Sequence, residues 1–162
     1  MTNQKIYDIA LQQSAWDLNC QPKDFLQKEN VIVHSSKNER ARKYLELPFS
    51  CNLVSYGSNI VASVSEDLEE TVQNYIRKYS VEHCFETPNL DILNEALRKK
   101  DLQICFMAEY FLPDMSLLEK VPFYCAAWSN IKSVRNAIKS GFRPAWVEMT
   151  AKSTAFVAKM NR

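Results

Sequence analysis

Two glutamates interrupt segments that otherwise have the pattern of buried strands, and both are candidates for acid–base chemistry. Glu109 lies within QICFMAEYFL, residues 103–112, and Glu148 lies within RPAWVEMTAK, residues 143–152. A carboxylate held in apolar surroundings has a raised pKa and can act as a general base. Alternatively, each side chain lies on a solvated face of its strand or pairs with a nearby cation. The sequence leaves both interpretations open, and no catalytic residue is assigned.

The histidines and cysteines lack the spacing of a metal site. His34 and His83 are the only histidines, and His83 stands between Glu82 and Cys84. Adjacent strand residues point to opposite faces, so this triplet is a poor chelate and we predict no metal site. The five cysteines are 20 or more residues apart, with no CxxC pair. This pattern predicts reduced, mostly buried thiols in a cytosolic (cytoplasmic) protein, with a catalytic cysteine as the alternative.

The glycine content excludes several classes of nucleotide-binding protein. The chain has only two glycines, Gly57 and Gly141, and they are far apart. A loop that wraps a phosphate with its own amides needs glycines for close approach and free turning. Walker loops and dinucleotide fingerprints are therefore absent.

Length and charge set further limits. The 162 residues suit one ordinary domain or two small ones, and 46% apolar and 24% charged residues are typical of a globular protein. Lys plus Arg is 20 against 19 for Asp plus Glu, so no bulk field favours nucleic acid or an anionic membrane. No apolar run approaches the roughly 20 residues that span a bilayer. We therefore expect neither nucleic acid nor membrane as a partner.

Periodicity predicts helices and strands along the chain. The predicted helices are residues 4–18, a short one after Pro22, one capped by Ser65, and one from Thr87–Pro88 to about Lys99. The predicted strands are residues 30–34, a hairpin around Gly57–Asn59, the apolar segment 103–112, and a second buried strand at PFYCAAW, residues 122–128. A boundary near residues 114–120 divides the chain into 1–114 and 115–162.

The last part has a strand–helix–strand pattern. Ser129 or Asn130 caps a helix that ends at Gly141, and Trp128 and Trp146 flank it and are expected to pack against it. One helix face is apolar and the next is basic; the apolar face comprises Ile131, Val134, Ile138 and Phe142, and the basic face Lys132, Arg135, Lys139 and Arg143. The basic residues form either a solvated face or an anion site.

This order of strand, SN-x-x-S, helix, Gly-Phe and strand resembles the end of the GNAT superfamily of acyl-CoA N-acetyltransferases. Asn130, Gly141 and Phe142 match the family pattern. The segments ENVIVHSS, NIVASVS, HCFE, MAEYFLPD and KVPFYCAAWSN are similar to a bacterial subfamily with an added N-terminal domain. The resemblance implies acetyl transfer from acetyl-CoA to an amine. It also implies that Asn130, with Ser133 nearby, contacts the pantetheine arm, although helix capping alone would explain an Asn there.

Two departures from the family bear on activity. Only a few residues separate Pro113 from Lys120, where the family carries its early strands and its pyrophosphate loop. Ala137 occupies the position of the Tyr that protonates the departing thiolate in many members. Tyr124 and Tyr110 could replace that acid, or could simply be core residues.

The sequence therefore predicts an α+β protein in two parts: an N-terminal α+β domain, residues 1–114, and a partial GNAT unit, residues 115–162. Its sheet is expected to be mixed and largely antiparallel, with packed helices. The predicted function is N-acetyl transfer, impaired in this short form. The alternative is a non-catalytic remnant or interaction module, completed by a partner chain in a homo-oligomer.

Overall fold

The computed structural model describes residues 2–45, 47–117, 124–127 and 130–160, and within them the fold is α+β. The described helices are α1 Asn3–Leu18, α2 Glu69–Lys78, α3 Asn89–Arg98, α4 Ile131–Lys139 and α5 Thr154–Met160. The described strands are β1 Val31–His34, β2 Cys51–Ser55, β3 Val61–Val64, β4 Leu102–Pro113, β5 Tyr124–Ala127 and β6 Phe142–Ser153. The predicted fold class is confirmed.

All six described strands join one mixed sheet in the order β1-β3-β2-β6-β4-β5. The β1–β3 pair is parallel and the other pairs are antiparallel. Strand β6 belongs to the second predicted part of the chain, yet it hydrogen-bonds to β2 on one side and β4 on the other. The two parts therefore share a single sheet.

Helices cover both faces of this sheet. Helices α2 and α3 pack against Leu53, Ala62 and Met149, which define the α2/α3 face. Helix α1 packs against Val54, Val61 and Trp146, which define the α1 face. Successive strand residues alternate between these faces, as a pleated strand requires. Each of these helices buries one side against the sheet, because Leu11, Ala15 and Leu18 of α1 and Val72, Tyr75 and Ile76 of α2 are buried.

The predicted hairpin around Gly57 is confirmed. Strands β2 and β3 pair antiparallel on either side of it. Gly57 has a φ of 104°, a left-handed conformation that side chains other than glycine rarely adopt. Its N–H donates to the hydroxyl of Ser55 at 3.0 Å. The glycine and this bond fix the turn that connects the two strands.

Helix starts follow the predicted positions, but some caps differ. A 3₁₀ turn, Glu66–Leu68, precedes α2, and the Ser65 hydroxyl donates to the Asp67 carboxylate instead of capping the helix. The short helix after Pro22 is also a 3₁₀ helix, ending at Leu26. Helix α4 begins at the predicted Asn130 cap and ends before Gly141, which has a φ of 80°.

Two expectations for the last part are corrected. Strand β5 is the outermost described strand instead of a buried one, and only Ala126 of its four residues is buried. The apolar face predicted for α4 is only partly covered, because Ile131 and Ile138 are 56% and 54% exposed while Phe142 is buried. Ala137 is instead the buried residue of α4, in a small core with Phe111, Ala126 and Phe142. The predicted positions of Trp128 and Ser129, and the ends of PFYCAAW, lie outside the described residues.

Candidate functional site

The two candidate carboxylates lie on adjacent strands but on opposite faces of the sheet. Glu109 of β4 is paired with Val147 of β6, and Glu148 of β6 is paired with Ala108 of β4. Val147 packs on the α2/α3 face, whereas Ala108 packs on the α1 face. The two glutamates therefore have separate environments.

Glu148 is buried in a network of charged and polar groups on the α1 face. Its side chain is 2% exposed, and Arg42 donates Nη2–H to its Oε2 at 3.1 Å. Asn52 of β2 donates Nδ2–H to Oε1 at 3.1 Å. Arg42 also forms an ion pair with the buried Asp17 of α1 and donates its backbone N–H to Asp17 Oδ1 at 2.8 Å. Both oxygens of Glu148 are thus engaged.

The network keeps Arg42 charged inside the fold. Desolvation alone would lower the pKa of Arg42, but the carboxylates of Glu148 and Asp17 together raise it above its ordinary value. The guanidinium also lies 5.6 Å from the ring centroid of Tyr110, within cation–π range. The pairing interpretation is confirmed for Glu148. This buried carboxylate is paired with Arg42 and has a structural role.

Glu109 has a different environment, because it lines an open cleft. The cleft has a volume of about 360 Å³ and is bordered by Ser55, Tyr56, Gly57, Val81, Glu82, Phe85, Glu86, Glu109, Pro144, Ala145, Trp146 and Val147. Its described lining has three carboxylates and no Lys, Arg or His. Desolvation raises the pKa of Glu109 above its ordinary value, the direction that suits a general base working near neutral pH.

The other two carboxylates of this cleft are exposed. The pKa of Glu82 is lowered, first by a hydrogen bond from its own backbone N–H and then by one from Ser80, so this group stays ionised. Apolar and aromatic residues, among them Phe85 and Val147, form most of the remaining wall. Such a cleft attracts a cation with an apolar body and disfavours an anion.

The residues expected to contact the pantetheine arm form a helix cap. Asn130 Oδ1 accepts from the backbone N–H of Ser133 at 3.1 Å, and Asn130 is exposed. The carbonyl of Ser133 accepts from the Tyr124 hydroxyl at 3.0 Å. Neither residue lines the Glu109 cleft. The capping interpretation is confirmed, and the cofactor contact stays a prediction.

Neither of the two tyrosines considered as the acid, Tyr124 and Tyr110, brings its hydroxyl to Glu109. The Tyr124 hydroxyl is engaged with Ser133, and Ala137 is buried. Tyr110 follows Glu109 directly and therefore packs on the α1 face, in the core with Trp146. Desolvation raises the pKa of Tyr110, with Glu148 adding to the effect, so its proton is held more tightly. The core interpretation is confirmed for Tyr110, whereas Tyr124 is half-buried beside the small core of Phe111 and Phe142.

The described helix starts and glycines fit a diphosphate poorly. Gly57 lies in the β2–β3 turn and Gly141 follows the C-terminal end of α4, so neither provides amides at a helix N-terminus. The start of α2 carries Glu66, Asp67, Glu69 and Glu70, which repel an anion. Lys132, Arg135 and Lys139 of α4 are exposed, and Arg143 pairs with Asp114, which agrees with a solvated basic face. Neither glycine therefore supplies the kind of amide cradle that a glycine-rich diphosphate loop provides.

The thiols are less uniformly buried than expected. All five cysteines are free; Cys51 and Cys84 are buried, Cys20 and Cys105 are half-buried, and Cys125 is exposed. Burial raises the pKa of Cys51 to about 12, so its thiol is inert at neutral pH. Within the described ranges, no three side chains of His, Cys, Asp or Glu cluster as a metal site. No described helix combines the length and apolar character needed to cross a bilayer.

Comparison with family models, curated proteins and solved structures finds no match to this chain. Sequence reasoning identified both glutamates but missed Arg42, Asp17 and Asn52. Arg42 is 25 residues from Asp17 and 106 from Glu148, so no local spacing could reveal the network.

Proposed function

We propose that this protein binds a primary amine in the Glu109 cleft, as the acceptor side of the N-acetyl transfer that its GNAT resemblance implies. The observation that carries the proposal is the half-buried Glu109 carboxylate, with a pKa raised by desolvation, in a cleft whose described lining has three carboxylates and no cation. The ammonium group pairs with Glu109, and the apolar part of the amine contacts the wall.

Glu109 has two tasks in this proposal. It first attracts the ammonium form, because the ion pair forms in partly desolvated surroundings where charges interact more strongly. It then accepts one proton from the ammonium nitrogen, which frees the nitrogen lone pair for attack on a carbonyl. A raised carboxylate pKa is closer to the pKa of the ammonium group, so this proton transfer is less unfavourable.

The structure favours the amine side of this reaction over the donor side. Acetyl-CoA would supply the thioester, but neither glycine lies where it could hold the diphosphate, and Ala137 stands in the place of the expected acid. We therefore infer that the chain alone transfers acetyl groups slowly or not at all. Calorimetric titration tests this point: micromolar acetyl-CoA binding would contradict it, and no heat at millimolar ligand would support it.

Amine binding is tested separately. We expect butylamine and phenethylamine, titrated at pH 7.5 and followed by NMR, to shift the amides around Gly57 and Trp146. Glu109→Gln should weaken binding by roughly 10- to 150-fold, which corresponds to the roughly 1.5–3 kcal/mol of one charge-assisted hydrogen bond. Glu95→Gln, on the exposed face of α3, is the matched control. Equal binding by both variants would contradict the proposal.

The second candidate function is a non-catalytic interaction module. The exposed Ile131 and Ile138 on α4, beside the outermost described strand β5, favour it. In this case a partner chain, such as a second copy, covers the α4 surface. Sedimentation at several concentrations should show a dimer, and a persistent monomer would contradict the homo-oligomer. The five free cysteines support a cytoplasmic location for either function.

A further inference from the structure

A bulge in β4 turns two consecutive side chains to the same side of the sheet. The β4–β6 register pairs Ile104 with Ala151 and Phe106 with Thr150, so Cys105 is the additional residue. In a regular strand Cys105 and Phe106 would point to opposite faces. Here both line one cavity of about 190 Å³. Bulges commonly redirect a side chain in this way near functional sites.

The redirected thiol contacts a second sulfur atom inside this cavity. Cys105 Sγ lies 3.7 Å from Sδ of Met160, the last residue of α5. The two sulfur atoms come from elements 55 residues apart in sequence. Two metal–sulfur bonds of about 2.3 Å in a line would place the two sulfur atoms about 4.6 Å apart, roughly 0.9 Å more than in this contact. The Met160 side chain is 61% exposed, so rotation about its own bonds can supply this shift without rearrangement of the backbone.

We propose that Cys105 and Met160 form a binding site for a soft monovalent metal ion, with Cu(I) as its ligand. A thiolate and a thioether are the donors that Cu(I) prefers, whereas Mg²⁺, Ca²⁺ and Mn²⁺ prefer oxygen. Glu148 is the only carboxylate in the described lining of the cavity, and Arg42 and Asn52 engage both of its oxygens. The described lining of this cavity therefore offers a hard cation no free carboxylate oxygen.

The charge of the site also selects the ion. When Cu(I) binds, the Cys105 thiol loses its proton to solvent, so thiolate, thioether and Cu(I) form a neutral unit. The cavity wall includes the rings of Phe106 and Phe156, and the Lys152 ammonium lies 4.2 Å from the Phe156 ring centroid. A neutral unit is compatible with this apolar wall and its neighbouring cation. A divalent ion would leave an excess positive charge beside Lys152.

Anaerobic titration of the full chain with Cu(I), against a chromophoric Cu(I) chelator, tests the proposal. We expect one equivalent to bind. Cys105→Ser and Met160→Leu should each weaken affinity by more than the roughly 10–100-fold that loss of an outer-shell partner costs. Met160 is 61% exposed, so Met160→Leu should leave the fold intact.

Two controls separate this site from other sulfur atoms. Cys125→Ser removes the most exposed thiol, and Met115→Leu removes a thioether outside the cavity; both should bind Cu(I) like the parent. Retention of Cu(I) by both Cys105→Ser and Met160→Leu would overturn the proposal and leave a simple packing contact. Loss of binding in Cys125→Ser would also overturn it. Glu109→Gln should not alter Cu(I) binding. The proposal of an amine site and the proposal of a Cu(I) site can therefore be contradicted independently.

Discussion

Asn3 and Asp114 hold together two parts of the chain that are 111 residues apart in sequence. Asn3 donates Nδ2–H to Asp114 Oδ1 at 3.0 Å, and its Oδ1 accepts from the backbone N–H of Met115 at 2.7 Å. Asp114 also accepts from Ser116 and pairs with Arg143. This arrangement fixes the start of α1 against the ends of β4 and β6.

The first prediction concerns the acid stability that this contact provides. Hydrogen bonds from Asn3 and Ser116, with Arg143 as a smaller contribution, lower the pKa of Asp114 to about 2. A carboxylate with a depressed folded-state pKa stabilises the fold above its unfolded pKa, and this contribution is lost as pH falls from about 4 towards 2. Urea midpoints measured between pH 6 and 2 should fall less steeply for Asp114→Asn than for the parent. Parallel curves would contradict the assignment.

The second prediction concerns the opposite shift at Glu109. Its folded-state pKa is raised, so the folded protein holds the proton more tightly than the unfolded chain. Stability should therefore decrease as pH rises through the interval from the ordinary Glu value to the raised value, and the penalty should persist at neutral pH. Glu109→Gln should be more stable than the parent at pH 7 and equal to it near pH 3, measured by urea unfolding. Glu95→Gln should show no such difference.

The third prediction concerns the buried charges around Arg42. Arg42→Met leaves Asp17 and Glu148 in the fold without their cation, which should cost about 3–5 kcal/mol of unfolding free energy. Adding Asp17→Asn and Glu148→Gln should restore part of the loss, because the uncompensated charges are then gone. Arg40→Met is the matched control, since Arg40 is exposed and stacks on Trp16. A small loss in Arg42→Met would contradict the structural role.

The fourth prediction separates the capping role of Asn130 from cofactor binding. Asn130→Ala should cost about 1 kcal/mol, the usual value for a lost N-cap. Asn130→Asp keeps the accepting oxygen and should keep the stability. Asn136→Ala, an exposed change within the same helix, should not destabilise. An Asn130→Asp variant that loses acetyl-CoA affinity at unchanged stability would show that the amide also contacts the cofactor.

Local patterns predicted much of the fold. The Gly57 turn, helices α1 and α2 and the Asn130–Gly141 helix depend on residues a few positions apart, so local sequence patterns reveal them. The edge position of β5 depends on which strands pair, and the pattern of YCAA carries no such information. The covered side of α4 was also misjudged, because Ala137 is small enough to approach Phe111 while Ile131 and Ile138 face outward.

The sequence identified the two candidate carboxylates but not their environments. Glu109 and Glu148 have equally apolar neighbours along the chain, so the sequence could not distinguish a cleft carboxylate from a paired one. The difference arises from Arg42, which comes from the loop before β2. The Cys105–Met160 contact was invisible for a similar reason, since it needs both the β4 bulge and the position of α5.

The position of β6 has a consequence for how the chain assembles during synthesis. Residues 142–153 are translated after every other strand, yet β2 and β4 meet only through them. The β2–β3 hairpin and helices α2 and α3 can therefore collapse early. The long apolar strand β4 keeps one edge unpaired until β6 has left the ribosome and pairs with both β2 and β4. We expect this waiting interval to be when the nascent chain depends most on chaperones.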